Sequence, residues 1–78
     1  MIPQPGDLLV IRRPSDGLFT VMEAIGGLQV EGPFDLLGYA VGMAHSIAAK
    51  RHTRVWRERV DDRGTVFGPP VLLEKVTD

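Results

Sequence analysis

The sequence predicts an α+β domain in which an antiparallel sheet of four to five strands carries one helix on one face, in the order βββαββ. Two observations predict this class. Short apolar or alternating segments are separated by turns that use nine glycines and six prolines, and such segments are typical of strands. One longer segment, residues 36–49, repeats its apolar residues at the spacing of a helix.

The first three strands are predicted to form a meander. Residues 7–13 are an apolar run rich in β-forming residues, and a Pro-Ser-Asp-Gly turn ends it. Residues 18–25 alternate between two faces, and Gly26 and Gly27 can adopt the positive φ that a two-residue hairpin turn requires. Residues 28–32 return as a third, short strand.

Asp35 is predicted as the N-cap of the helix, because its carboxylate can accept hydrogen bonds from the free N–H groups of the first turn. The helix is expected to end between Lys50 and His52, so that basic residues lie at the negative end of the helix dipole. One apolar arc of the helix is predicted to face the sheet. Its members are Leu36, Ala40, Met43, Ala44 and Ile47, with Leu37, Val41 and Ala48 extending it and Tyr39 on the other flank.

The last third of the chain predicts further strands. Residues 53–60 are rich in β-branched and aromatic side chains, and an Asp-Asp-Arg-Gly turn follows them. Residues 65–67 begin a return strand, which two prolines interrupt because proline has no N–H to donate to a ladder. Residues 71–76 form a last apolar segment, predicted as an edge strand.

Composition and charge are those of a globular domain. Hydrophobic residues make up 44% and charged residues 24%, and the formal net charge is -1, which argues against a disordered, collagen-like or coiled-coil chain. We therefore expect one domain over residues 1–78. The chain has no cysteine, which excludes disulfides, thiolate metal sites and cysteine nucleophiles. The first residues lack the basic and apolar runs of a secretory signal, so we expect a cytoplasmic protein.

The arc of the helix opposite the sheet carries small residues and a histidine where a solvated helix carries charges. No charged residue occurs between Asp35 and Lys50. A glycine inside a helix costs about 0.8–1 kcal/mol relative to alanine, so two glycines on this arc need a compensating contact. The residues expected to form that contact are Gly38, Gly42, His45, Ser46 and Ala49.

We expect this arc to pack against a second copy of the chain or against another protein. Small residues spaced four apart let another backbone approach closely, as in membrane helices, but this apolar run is too short and too interrupted to span a bilayer. Two alternatives stay open: the glycines seat the chain's own C-terminal segment, or the helix surface is poorly optimised and has no role. The expected function is a non-catalytic protein-interaction module, in its simplest form a homodimer.

The strand after the helix favours a different function. Residues 50–63 contain six basic and three acidic residues, and an aromatic ring flanked by arginines can stack on a base while the guanidinium groups contact phosphates. A net charge near zero provides little electrostatic affinity for a nucleic acid, and core packing is the more common role of a single tryptophan. The alternative function is a nucleic-acid-binding module whose contacts are Arg54, Trp56, Arg57 and Arg59.

No constellation of catalytic or metal-binding residues is predicted. His45 and His52 lie about 10.5 Å apart along the helix axis, which is too far for one metal ion to bridge. Ser46 is not a nucleophile for the neighbouring histidine, since adjacent helix positions point about 100° apart. Asp61 and Asp62 are explained by a polar turn. We therefore expect no enzyme activity, no metal and no other cofactor.

Four segments resemble the outline of small uncharacterised bacterial domains that contain a sheet and one helix. The segments are Gly17–Val21, Gly32–Asp35, Arg54–Trp56 and a following Asp-x-x-Gly turn, with an alanine-spaced helix before the third. The resemblance covers residues 17–67 and implies a bacterial protein with the element order strand–strand–strand–helix–strand–strand. The order is also similar to small DNA-binding folds that read a groove with a three-stranded sheet. No functional residue is carried over from either resemblance.

Overall fold

Five strands and one helix make up residues 1–73, the part of the chain that the computed structural model describes. Their bounds are Leu8–Arg12 for β1, Phe19–Glu23 for β2, Gln29–Phe34 for β3, Leu37–Arg51 for α1, Val55–Arg57 for β4 and Val71–Leu73 for β5. The strands form one sheet of spatial order β3-β2-β1-β4-β5. The elements confirm the α+β class and the order βββαββ, and they place β5 at an edge as predicted.

The sheet is mixed, so the prediction of a purely antiparallel sheet is wrong. β1 pairs with β4 in parallel, whereas the other three pairs of neighbouring strands are antiparallel. The reason is the direction of the chain. A three-stranded meander leaves β3 running in the direction of β1, and the single helix returns the chain to its starting end. The strand that follows the helix therefore runs parallel to β1.

The layer between helix and sheet is built on alanines. Ala40, Ala44 and Ala48 are the buried residues of α1, and their spacing of four places them on one stripe of the helix. The strand residues that join them in the core are Leu8, Val10, Val21 and Val55. Because a methyl group is the whole side chain of alanine, α1 can lie close to the sheet.

The buried arc of α1 is rotated toward one edge of the predicted arc. Leu36 and Met43, both predicted to face the sheet, are 55% and 36% exposed. Leu37 and Val41, predicted to extend the arc, pack against the core. The alanine stripe explains the rotation, since seating it against the sheet turns the larger side chains of the predicted arc toward solvent.

The two ends of α1 differ in how they are capped. Leu36 is the N-cap and makes no side-chain cap hydrogen bond, so the prediction of Asp35 as the cap is wrong. At the other end His52 adopts the left-handed conformation with φ of 58°, and Thr53 N–H donates to the carbonyl of Ala48 at 3.0 Å. This pattern is a Schellman motif with a histidine at the position that glycine usually occupies.

The loops differ from the predicted turns in length. Gly26 and Gly27 have positive φ as predicted, but Glu23 N–H donates to the carbonyl of Leu28 at 2.8 Å. The hairpin loop is therefore longer than two residues. The predicted return strand at 65–67 is reduced to one bridge, between Val60 and Val66, and residues 74–76 of the predicted last strand lie outside the described residues.

A buried carboxylate joins the N-terminal segment to the parallel strands. Asp7, immediately before β1, is 4% exposed. Its Oδ1 accepts from Arg54 N–H at 3.0 Å, and its Oδ2 accepts from Gln4 N–H at 2.9 Å and from the indole Nε1–H of Trp56 at 2.9 Å. Burial raises the pKa of Asp7, but these hydrogen bonds and the Arg54 charge together bring the pKa below its ordinary value of 3.8.

Asp7→Asn is expected to destabilise the fold by about 2–3 kcal/mol at pH 7, because an amide NH₂ then faces a backbone or indole N–H donor. The contribution of the carboxylate is complete above pH 3.8 and is lost as the pH falls through the lower folded-state pKa. The difference between the two proteins should therefore shrink in acid. Urea unfolding followed by the fluorescence of Trp56 measures it. Asp62→Asn, the same change at an exposed site, is the control, and equal stabilities of Asp7→Asn and wild type at pH 7 would contradict the assignment.

His52→Gly is expected to stabilise the protein by about 0.5–1 kcal/mol, because glycine adopts left-handed φ without the steric cost that a Cβ imposes. For a domain of this size that corresponds to a rise of several °C in Tm, measured by circular dichroism. His52→Ala keeps the steric cost and serves as the matched control. An alanine variant as stable as the glycine variant would show that the backbone conformation is not the cause.

Candidate functional site

We call the surface predicted to form an interface the helix face. Its residues are Gly38, Gly42, His45, Ser46 and Ala49. Four of them are exposed and His45 is half-buried. A Cβ built on Gly38 or Gly42 would meet nothing within 4 Å. No described part of the chain therefore covers the two glycines, and β5 pairs with β4 rather than packing on α1. The expectation that the chain itself shields this face is not met within residues 1–73.

Large apolar side chains extend the helix face. Tyr39 is 63% exposed, and Leu36 and Met43 are exposed beside it. The sequence analysis assigned the latter two to the core, so the uncovered apolar surface is larger than predicted. It consists of small residues along its centre and larger ones along one margin, and it carries no charge from Leu36 to Ala49.

A groove of about 470 Å³ runs beside the helix face. It exists because α1 crosses β3, β2, β1 and β4 but makes no contact with β5 among the described elements. His45 and Ala49 line its helix side, and Val55 and Leu73 line its sheet side. The hydroxyl oxygen of Thr53 is buried there without a hydrogen-bond partner among the described residues.

Trp56 does not present its ring to a ligand. It is 2% exposed and its indole N–H donates to Asp7. Trp56 pairs with Leu9 of β1 and with Leu72 of β5. In this register its side chain lies on the sheet face away from the helix. Of the four residues predicted to contact a nucleic acid, the aromatic one is thus a core residue, the role that the sequence analysis considered more common.

Arg57 and Arg59 lie in a second groove, of about 490 Å³, with an aromatic residue that the sequence analysis did not select. Phe67 is 50% exposed, and its N–H donates to the carbonyl of Arg59 at 3.0 Å. The other lining residues are Glu58, Val60, Val71 and Leu73. We call this site the hairpin groove, because residues 58–70 connect β4 to β5. Arg54, the remaining predicted contact, lines the groove beside α1 instead.

The arginines of the hairpin groove form no ion pair within residues 1–73. Within residues 1–73 the ion pairs are Arg13–Asp16 at 3.0 Å and Arg51–Glu23 at 2.8 Å. Neither involves the arginines of the hairpin groove. Their guanidinium groups therefore have no carboxylate at ion-pair distance in the described part of the chain.

The acidic turn and His52 have structural explanations. Asp61 Oδ1 accepts from Arg63 N–H and Thr65 N–H, both at 2.9 Å, so this carboxylate closes the hairpin turn. His52 forms the C-cap of α1. No three His, Asp or Glu side chains among residues 1–73 are grouped so that they could hold a metal ion. None of the described helices is long and apolar enough to cross a membrane.

No family model matches the chain, and no curated protein or solved structure matches it either. The resemblance to small bacterial sheet-plus-helix domains therefore stays a prediction. What the chain does has to be argued from the two surfaces described above.

Proposed function

We propose that this domain is a small non-catalytic protein-interaction module that self-associates through the helix face. The observation that carries the proposal is the uncovered, charge-free surface of α1, on which Gly38 and Gly42 are open to approach and Tyr39 is 63% exposed. The cytoplasmic location expected from the sequence belongs to the same proposal.

The lack of charged residues on the solvent side of α1 supports an interface on this surface. A helix that packs on a sheet with one side usually carries Lys, Glu or Arg on the other. Here the first charged residue after Asp35 is Lys50, and large apolar side chains stand on the solvent side. Burying such a surface against a partner removes apolar area from water, which is favourable by about 25 cal/mol per Å².

The glycines support close approach of a second backbone. Gly38 and Gly42 each destabilise α1 by about 0.8–1 kcal/mol relative to alanine, and neither provides room for any other described part of the chain, since nothing lies within 4 Å of a Cβ placed on them. Residues 1–73 of an isolated chain therefore gain no contact from these glycines. A helix packed across them would gain dispersion contacts that a larger side chain prevents.

A second copy of the chain fits this surface. In a two-fold dimer the same patch serves both partners, and a patch of glycines beside Tyr39 and Met43 offers both the hollow and the side chains that fill it.

Gly42→Leu is expected to abolish self-association while keeping the fold. The exposed position accepts the side chain, since a Cβ there meets nothing within 4 Å and leucine favours the helix over glycine. Analytical ultracentrifugation of the wild type over about 5–500 µM should show reversible dimerisation, and the Leu variant should sediment as a monomer. Unfolding midpoints should depend on protein concentration for the wild type alone.

Two further variants control for other effects. Gly42→Ala adds only a methyl group, so it should raise the stability of the helix and weaken the dimer less than leucine does. Leu28→Glu removes a 74% exposed apolar side chain from the β2–β3 loop and should leave the assembly unchanged. A wild type that is monomeric at every concentration, or a Gly42→Leu variant that still dimerises, would refute the proposed interface.

A further inference from the structure

The hairpin groove combines features that the helix face lacks. The side chains of Arg57 and Arg59 line one depression of about 490 Å³ with the half-exposed ring of Phe67. Arg12 lines with Arg57, Glu58 and Val60 a smaller neighbouring groove, and its guanidinium group lies beside Gly17 of the β1–β2 turn. Cations around an exposed aromatic face are the elements with which proteins bind unpaired nucleotides.

We propose that the hairpin groove binds single-stranded nucleic acid, with a base stacked on Phe67 and phosphates held by Arg12, Arg57 and Arg59. This site is separate from the helix face and does not depend on the dimer. It differs from the contact set predicted from the sequence, because Phe67 rather than Trp56 provides the aromatic surface.

The position of Phe67 favours stacking. Residues 59 and 67 are directly opposite each other in the hairpin, since the N–H of Phe67 donates to the carbonyl of Arg59 and Val60 pairs with Val66. Phe67 is therefore held beside an arginine by the backbone and still leaves half of its surface in water. Trp56, by contrast, is 2% exposed and bonded to Asp7.

The acidic residue of the groove forms no ion pair with these arginines among the described residues. Glu58 Oε1 accepts from the backbone N–H of Arg12 at 3.0 Å, which holds this carboxylate at the junction of β1 and β4. No described carboxylate forms an ion pair with the guanidinium groups of Arg12, Arg57 or Arg59. They are therefore available to phosphate oxygens, with which a guanidinium makes bidentate hydrogen bonds.

Single strands fit the groove better than duplexes do. Stacking on Phe67 needs the free face of an unpaired base, which a duplex hides between neighbouring base pairs. The net charge of -1 provides no long-range attraction, so the affinity must come from these few contacts.

The experiment measures fluorescence anisotropy of 5′-fluorescein-labelled 20-mers of dT and of a matching duplex. Three phosphate contacts give a slope of log K against log salt of about −2 for single strands. The affinity of the wild type for dT should therefore fall about 20-fold between 50 and 200 mM NaCl, and the duplex should bind more weakly. Gly42→Leu should bind as well as the wild type, which separates this proposal from the dimer.

Variants at the groove identify the contacts. Phe67→Leu keeps an apolar side chain but removes the π-face and should weaken binding about 5- to 150-fold with the salt slope unchanged, whereas Phe67→Trp should retain binding. Arg57→Gln and Arg59→Gln should each make the slope of log K against log salt less steep by about 0.7. Arg63→Gln makes the same change of charge in the same hairpin, outside the residues that line the groove, and should leave the slope unchanged.

Three results would overturn the proposal. The first is the absence of salt-dependent binding to dT at 50 mM NaCl. The second is a Phe67→Leu variant that binds as tightly as the wild type. The third is displacement of dT by poly-glutamate at equal charge concentration, which would show that the groove takes an acidic protein segment.

Discussion

The fold depends on the carboxylate of Asp7. β1 is the central strand of the sheet. It shares only three paired positions with β4, and parallel pairs are slightly less stable per residue than antiparallel ones. Asp7 extends this pair by one side-chain contact, because its Oδ1 accepts from the N–H of Arg54, the residue before β4. The same carboxylate fixes the indole of Trp56. One ionised group thus fixes the strand that follows the helix and the largest side chain of the opposite sheet face.

The two candidate surfaces follow from how α1 is seated on this sheet. Alanines at 40, 44 and 48 are its buried residues, so the helix contributes little volume to the core and the larger side chains Tyr39 and Met43 remain outside. The sheet is also one strand wider than the helix covers, since α1 does not contact β5 among the described elements. The uncovered strip beside α1 contains both grooves, and Leu73 of β5 lines each of them.

Much of this architecture is contained in local sequence patterns. Alternation in 18–25, the glycine pair at 26–27 and the apolar periodicity after Asp35 predict the meander and the helix. The parallel pair could also have been predicted from the sequence. After a three-stranded meander and one helix, the next strand runs parallel to β1 whether it joins β1 or β3. The buried arc of α1 could not be predicted from the sequence, since it depends on how closely the alanine stripe approaches the sheet. The bond between Asp7 and Trp56 joins residues 49 apart, and no periodicity reports such a contact.

The pairing of Phe67 with Arg59 in the hairpin groove could have been predicted from the local strand register. The Asp61 turn fixes the pairing of its flanks, because Asp61 N–H donates to the carbonyl of Thr65 at 3.0 Å. Continuing that register by two residues places Phe67 opposite Arg59. Trp56 was predicted as a contact because arginines flank it in the sequence, but a large ring in an inner strand is easily buried. The helix face and the hairpin groove share no residue, so a dimer formed through α1 carries two such grooves. A single-stranded nucleic acid long enough to reach both grooves would bind with the avidity that linked sites provide.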